Sequence, residues 1–373
     1  MGDALKTFFS PGLVRRISGA IADVQPRFPV KAFIRDACEG LEDLELLARG
    51  HHIAKALHAH LPRSYADAVD ILVRSLGPEH ASDELEGVGM APFFYLPHVI
   101  FVATYGLDDF DISMKAQHEL TRRFTCEFSI RPFLEKYPEA TLKVLREWAT
   151  DSSPHVRRLV SEGTRPRLPW APRVRWIVEE PARILPLLEL LKDDPASVVR
   201  RSVANHLNDL AKSHPDLACE IAERWLEDAT PERRALVKHA LRSTVKSGNP
   251  RALAILGYSD APRVEITDIS FEPRRVKIGG KTRIMFSIRS AAAKKQKLAV
   301  DLAVHFIKSH GRASPKVFKV ATLTVGPRET ATVAKTISLA VHTTRKPNGG
   351  HHAVDALING QRFELGAFIV TKS

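Results

Sequence analysis

Apolar positions recur every three to four residues as far as about Gly257 and every second residue beyond it, so helices are predicted to give way to strands. The clearest helix lies within Asp194–Asp216, DPASVVRRSVANHLNDLAKSHPD. Asp194 is placed as its N-cap and Pro195 as its first helical residue, where a missing N–H costs nothing. Val199, Val203, Leu207 and Leu210 form one buried stripe, with Arg201, Asn205, Asn208, Asp209 and Lys212 on the other side. A solvated face needs only charges. Asparagines flanking one aspartate suit a surface that holds something, although an ordinary wet helix face explains the pattern as readily.

The segment Asp151–Pro166, in which Asp151 is followed by SSPHVRRLVSEGTRP, has the same cap, early proline and Val-Arg-Arg. Its Arg157/Arg158 pair precedes Arg200/Arg201 by 43 residues, and further pairs stand at Arg122/Arg123 and Arg233/Arg234. Such loose periodicity predicts HEAT-like helical hairpins, which stack because no hairpin buries its apolar face alone. RRFTCEFSIRP and RRLVSEGTRP make Glu127 and Glu162 equivalent positions, and repeated arginine pairs would line one concave surface with cations spaced for a phosphate backbone. Before the repeats, Phe33, Ile34, Ala37, Cys38 and Leu41 form one helical stripe, and Val69, Leu72, Val73 and Leu76 another.

After Gly257, alternation at Val264–Phe271, Thr282–Ile288, Lys297–Ile307, Val317–Val325, Thr330–Leu339 and Arg362–Val370, with turn signals at Gly279-Gly280, Asn348-Gly349 and Asn359-Gly360, predicts about eight strands. The expected fold is mainly α, an α-α superhelical array followed by a small immunoglobulin-like β-sandwich. The expected parts are residues 1–111, N-terminal helices; 112–260, repeats; and 261–373, the sandwich. Its loop Arg345–His352, RKPNGGHH, suits entry into a DNA groove through Arg345, Lys346 and His351, a mobile solvated tip being the commoner use of such a loop.

Charge changes this picture by locating a partner. The net charge is +12. Residues 1–111 hold 10 Lys and Arg against 16 Asp and Glu, residues 112–261 hold 25 against 20, and residues 262–373 hold 20 against 7. A polyanion held by the C-terminal two-thirds follows from that gradient, unless the basic tail serves only solubility. The expected arrangement is a clamp, with the repeats on one side of duplex DNA and the sandwich reaching around the other. Cys38, Cys126 and Cys219 are scattered, and the pairs His51-His52 and His351-His352 diverge, so neither disulfides, a metal site nor a cofactor is expected. The N-terminus does not read as a signal peptide and Pro92–Leu107 is too short to span a bilayer, so a cytoplasmic, monomeric protein without membrane contact is expected.

VRRLVSEGTRPRLPWA together with SVVRRSVANHLNDLAKSHPDL resembles the alkylpurine DNA glycosylases built of HEAT-like repeats, in their AlkC branch. The match is close over the repeats and looser over the N-terminal helices, and some members carry an extra immunoglobulin-like domain. The resemblance implies a DNA repair enzyme that hydrolyses the N-glycosidic bond of 3-methyladenine, and with it 3-methylcytosine, in double-stranded DNA. A sister branch has Trp four residues ahead of its cleft Asp; position 205 here is Asn, so that branch's details do not carry over.

The residue types suit this chemistry. A methylated base that is already cationic needs little acid help to leave, and carboxylates can stabilise an oxocarbenium-like sugar and position water. Asp209 is expected to do this, with Glu162 and Glu127 supplying negative field at the lesion. By themselves Arg123–Glu127 and Arg158–Glu162 read as i,i+4 pairs worth about 0.2–0.5 kcal/mol; the resemblance favours the functional role. Trp170, between Pro169 and Pro172, cannot lie in a regular helix and either packs a loop or offers its face to the cationic base. Trp148, Trp176 and Trp225 read as core residues. Arg158, Arg165, Arg201, Asn205, His206 and Asn208 are the expected DNA contacts on the repeats. A non-catalytic scaffold binding DNA or a protein is the alternative, since repeat arrays often serve that way.

Overall fold

The computed structural model describes residues 5–80, 91–259, 261–308, 311–341 and 347–371. Arg345 and Lys346 therefore lie outside the described residues. Contacts divide the chain into two compact units: Met1–Ser213 with Ala229–Ala240, and His214–Asp228 with Leu241–Ser373.

The first unit is helical. It holds α1 (Pro11–Val24), α2 (Val30–Cys38), α3 (Leu46–His60), α4 (Tyr65–Arg74), α5 (Leu96–Tyr105), α6 (Phe110–Thr121), α7 (Ile130–Lys136), α8 (Pro138–Trp148), α9 (Pro154–Gly163), α10 (Arg175–Glu179), α11 (Leu185–Leu191) and α12 (Ser197–Leu210). The helix Pro231–Ala240, labelled α14 in chain order, completes it. Proline opens α1, α8 and α9, where its fixed φ fits the first turn. Helices α6, α9, α12 and α14 pack in succession, each burying its stripe on the next. The predicted stripe of α12 is buried throughout: Val199, Val203 and Leu207 at 0 % and Leu210 at 1 % exposure.

The expected cap differs in detail. Helix α12 begins at Ser197, so Asp194 and Pro195 stand outside it. Asp194 Oδ1 accepts instead from the Ala196 N–H at 2.8 Å, as Asp151 Oδ1 accepts from Ser153 N–H at 2.7 Å ahead of α9. Each of these aspartates is also bonded by a side chain from the helix packed before it in the succession α6, α9, α12. His118 of α6 lies 2.8 Å from Asp151, and Arg157 of α9 grips Asp194 at 2.6 and 3.0 Å. The turn before each helix is thus tied to its neighbour through one carboxylate.

The second unit joins α13 (Pro215–Leu226), α15 (Arg242–Lys246) and α16 (Pro250–Ile255) to eight strands. These are β1 (Val264–Glu272), β2 (Arg275–Lys277), β3 (Lys281–Ser290), β4 (Gln296–Ile307), β5 (Ala313–Val325), β6 (Thr330–Ser338), β7 (Gly350–Ile358) and β8 (Gln361–Thr371). One sheet has the order β1-β3-β6 and the other β2-β8-β7-β4-β5, all antiparallel except β2 beside β8. Their facing side chains, among them Ile284, Phe286, Leu302, Val304, Val354 and Phe368, form the core of the immunoglobulin-like domain. Position 261 marks where strands take over; it is not the edge of a compact unit, because three helices group with the strands. Strand β7 begins inside the expected loop, and His351 and His352 belong to it. Alternation along a strand sends them to opposite faces: His351 is exposed and His352, at 0 %, stacks on Phe368 at 5.3 Å.

The Asn359-Gly360 turn between β7 and β8 has positive φ at both residues, 48° and 80°, the requirement of a two-residue hairpin. It meets the helical end of its own unit at Gly248, which also has positive φ, 76°. A Cβ on Gly360 would stand 2.1 Å from Gly248 Cα. Gly360→Ala should therefore lower stability by about 2–4 kcal/mol, from strain and overpacking together. Gly257→Ala, at φ 70° with nothing within 4 Å of the added carbon, should cost only the strain, about 1 kcal/mol. Urea midpoints of the two variants test this; equal losses would show that the close approach does not matter.

Candidate active site

Asp209, Glu162 and Glu127 converge from three places in the helical unit, and arginines join them. Asp209 sits on the last turn of α12 at 1 % exposure. Glu162, on the last turn of α9, is 6 % exposed. Arg165, just beyond α9, lies between the two. Its Nη1 donates to Glu162 Oε1 at 2.6 Å, while Nε and Nη2 reach Asp209 Oδ2 at 2.9 and 2.8 Å. Lys212 donates to the other Asp209 oxygen at 2.9 Å. Arg158 Nη2 lies 3.1 Å from Glu127 Oε2 and 3.8 Å from Glu162 Oε1. Arg165 was expected on DNA; here its planar fork is filled by the two carboxylates.

Glu127 reaches this place by a different route from the one the repeat alignment suggests. Arg122 ends α6, whereas Arg157 lies in the first half of α9, and Glu127 occupies the turn before α7. The two glutamates are therefore not structurally equivalent. The expected Arg123–Glu127 pair does not form: Arg123 binds Glu119 at 2.9 Å and the Gly77 carbonyl at 2.7 Å. Glu127 accepts from Thr125 Oγ1 at 2.9 Å and pairs with Arg158 across the repeat boundary.

In the pairs Arg157/Arg158 and Arg200/Arg201 the first arginine is structural. Arg157 Nη1 donates to the carbonyls of Asp151 and Ser152, and Arg200 Nη1 to those of Asp194 and Pro195, in the same register relative to each helix. This corrects the expected row of paired cations. Of the second members, Arg158 holds Glu127 and Arg201 is exposed.

Burial alone would raise the Glu162 carboxyl. Arg158 and Arg165, with hydrogen bonds from Ser202 and Arg165, outweigh it and hold Glu162 below the usual carboxylate range. Glu162 Oε2 receives the Ser202 hydroxyl at 2.6 Å.

The polar side of α12 is mostly covered. Asn208 and His206 are each 2 % exposed and Asn205 is half-buried, with its Oδ1 3.1 Å from His239 Nε2. His206, expected to face DNA, is a core residue. Its Nδ1 donates to the Ser161 carbonyl at 3.0 Å, and burial lowers its pKa to about 4.

Trp170 is placed as its flanking prolines require, outside any helix, and it is 68 % exposed. Its φ of 64° is uncommon for a bulky residue and costs on the order of 1–3 kcal/mol. The loop that carries it is pinned by Arg131 of α7, which is 1 % exposed. Arg131 donates to the carbonyls of Gly163 at 2.8 Å, Arg165 at 3.1 Å and Pro172 at 2.8 Å. One buried arginine thus fixes the segment bearing both Arg165 and Trp170. The remaining tryptophans are more varied than a core reading expects: Trp225 is 1 % exposed, while Trp148 and Trp176 are half-buried. Lys212, read from the sequence on the polar side of α12, completes the site with Arg131, Ser161 and Ser202, which the sequence reading does not single out. A serine in mid-helix, where its hydroxyl competes with the backbone, was the available signal for Ser202.

Residues 124–246 match the family model "DNA alkylation repair enzyme", and residues 265–372 match that of "Uncharacterised protein YhaZ, C-terminal Ig-like domain". The chain is 33 % identical to the protein YhaZ of Bacillus subtilis (strain 168), over 96 % of each. It is similar, at TM-score 0.90 and 34 % identity, to Pseudomonas fluorescens alkylpurine DNA glycosylase AlkC bound to DNA containing an abasic site analog, over 98 % of this chain and 99 % of that one. The chain belongs to the AlkC-type branch of the DNA alkylation repair family, in its form with a C-terminal immunoglobulin-like domain. Among the described residues no helix is long and apolar enough to cross a membrane.

The buried histidines set an acid limit. His206 and His98, the latter 2 % exposed in α5, are both lowered to about 4, primarily by burial. In unfolded chain they take protons near pH 6.5, so the stability they contribute is complete above that pH. It should fall as pH drops from about 6.5 to 4, by up to a few kcal/mol per histidine. Thermal midpoints across that window should decline, and less steeply in His206→Gln. An identical slope in the variant would remove His206 from the effect.

Proposed function

We propose that this protein is a DNA glycosylase that excises cationic alkylated bases, 3-methyladenine and with it 3-methylcytosine, from double-stranded DNA. The observation that carries this reading is the pair of carboxylates, Glu162 and Asp209, buried on successive repeats and joined through Arg165. The family and the likeness to a glycosylase bound to abasic DNA support the same class.

Methylation at N3 makes the base a cation, so departure needs little proton transfer and leaves positive charge on the sugar. Carboxylates in a poorly solvated site act on that charge with little screening, and they are organised before the reaction begins. Asp209 stabilises the oxocarbenium-like sugar and orients water. Glu162 and Glu127 supply field at the lesion. Trp170 presents an exposed aromatic face, which prefers a cationic base over a neutral one by roughly 0.5–2 kcal/mol. Arg158, Arg201 and Asn205 serve the DNA around the lesion, whereas Asn208, 2 % exposed, is too buried to contact it directly. The basic immunoglobulin-like domain adds contacts to phosphates that do not depend on sequence.

Incubation with methylated duplex DNA tests the class: free methylated bases and abasic sites are expected, and a scaffold would release none. Asp209→Asn should retain helical content and DNA affinity but lower the single-turnover rate on 3-methyladenine by about 10²–10³-fold; an unchanged rate would remove Asp209 from the mechanism. Trp170→Ala should lower excision of 3-methyladenine more than that of a neutral modified base. Losses in equal proportion would refute recognition of the cation.

A further inference from the structure

Two serines that the excision chemistry does not use stand behind Glu162. Ser161 is 0 % exposed and Ser202 2 %. Ser202 Oγ lies 2.6 Å from Glu162 Oε2, and Ser161 Oγ lies 2.6 Å from Ser202 Oγ. A hydroxyl has one proton and can both donate and accept, whereas an ionised carboxylate only accepts. The direction is therefore set at the carboxylate. Ser202 gives its proton to Glu162, and Ser161 must give its own to Ser202; its other acceptor, the Arg158 carbonyl, is further away at 3.3 Å. His206 Nδ1 holds the Ser161 carbonyl at 3.0 Å, so the start of the relay is fixed to α12 while its serine belongs to α9.

We propose that Ser202 is a positioning residue for the Glu162 carboxylate, the last donor of a two-serine relay that holds this side chain oriented and ionised. The proposal rests on Glu162 serving the excision reaction. The two carboxylate oxygens have different partners. Oε1 takes Arg165 at 2.6 Å, with Arg158 at 3.8 Å, while Oε2 takes Ser202. Arg165 is shared with Asp209, so a substrate that draws on Asp209 also disturbs Oε1. The relay's donors are neutral and enclosed, so they stay when those charges rearrange. The charged and titratable groups around Glu162 are Arg158 on α9, Arg165 beyond it, Asp209 and His206 on α12, and Glu127 through Arg158. None of them donates to Oε2 among the described residues.

The relay also ties α9 to α12, so loss of rate alone would not separate positioning from stability. Full-length protein, the variants Ser202→Ala, Ser202→Thr and Ser161→Ala, and four measurements make the separation. These are the Glu162 carboxyl titration by NMR in free protein, the pH profile of single-turnover excision of 3-methyladenine, affinity for abasic-site DNA, and the melting temperature. Ser202→Ala should raise the Glu162 midpoint by about one pH unit, as loss of a hydrogen bond to a charged group would. The acidic limb of the rate profile should move with it. Excision near neutral pH should fall about tenfold, with abasic-DNA affinity within about twofold of the parent. Ser202→Thr, which keeps the hydroxyl, should restore both the titration and the rate. Ser161→Ala should shift both in the same direction but by less. A rate loss equal at every pH, with the Glu162 titration unmoved, would reduce the relay to a structural latch and overturn the proposal. If the titration moves as stated but neither parent nor variants release base, the glycosylase reading fails and the orientation of Glu162 by Ser202 stands.

Discussion

Arg165 places one positive charge between two buried carboxylates from different repeats, and the geometry of the site depends on that sharing. Glu162 and Asp209 are 6 % and 1 % exposed, and two anions so enclosed would repel until one took a proton. A guanidinium resolves this because it is planar, always charged, and able to donate to one carboxylate from Nη1 and to the other from Nε and Nη2. An ammonium is a point charge and could not hold both in a fixed plane. Buried ion clusters of this kind rarely add stability over apolar packing of the same volume, though removing one partner costs about 3–5 kcal/mol. Their presence on α9 and α12, between otherwise apolar stripes, is better understood as chemistry that the repeats accommodate.

Arginine does two jobs in the helical unit, and adjacent residues divide them. Arg157 and Arg200, each the first of its pair, turn back to carbonyls of the loop before their helix, and Arg157 also holds Asp194. The second member turns to the site or the surface. A basic repeat surface is therefore smaller than the number of arginines suggests, because Arg157 and Arg200 are taken up by bonds to the loops before their helices, and Arg157 also by the next repeat. The carboxylates show the same division: Asp151 and Asp194 cap turns and latch helices, while Glu162 and Asp209 meet at the candidate site.

The periods of the chain made the two architectures legible, because burial of one helix face or one sheet face leaves a repeating mark on the sequence. Val199, Val203, Leu207 and Leu210 carry that mark plainly. Helix starts were less legible: an aspartate two residues before Ala196 satisfies the same N–H that a true cap would, so Asp194 and Ser197 compete for the reading. The site was legible in its acids but not in their arrangement. Arg158–Glu127 and Arg165–Asp209 join residues 31 and 44 apart in sequence, and local spacing points instead to i,i+4 partners. The reading of His206 fails for a related reason: its neighbours on the helix are polar, yet α9 of the preceding repeat covers that flank. Strand β7 was hidden because glycines and histidines obscure its alternation before Val354.

The same balance of charge indicates where the site can yield. Glu127, Glu162 and Asp209 are met by Arg158, Arg165 and Lys212, so under the proposed function a cationic base would enter a cluster already neutralised and would have to replace a cation to gain full contact. The three are not held equally. Arg165 is 11 % exposed along its side chain and bonds two carboxylates; Arg158, at 19 %, spans Glu127 and Glu162. Lys212 makes a single contact to Asp209 Oδ1 from a side chain 38 % exposed. A flexible ammonium at that exposure regains water as it leaves, so its departure costs less than withdrawing either guanidinium. Asp209 Oδ1 is consequently the acid oxygen at which partners exchange most cheaply. Arg165 can keep Oδ2 fixed while Oδ1 meets new positive charge, and in the proposed reaction this asymmetry suits Asp209, more than either glutamate, to a charge that develops on the sugar.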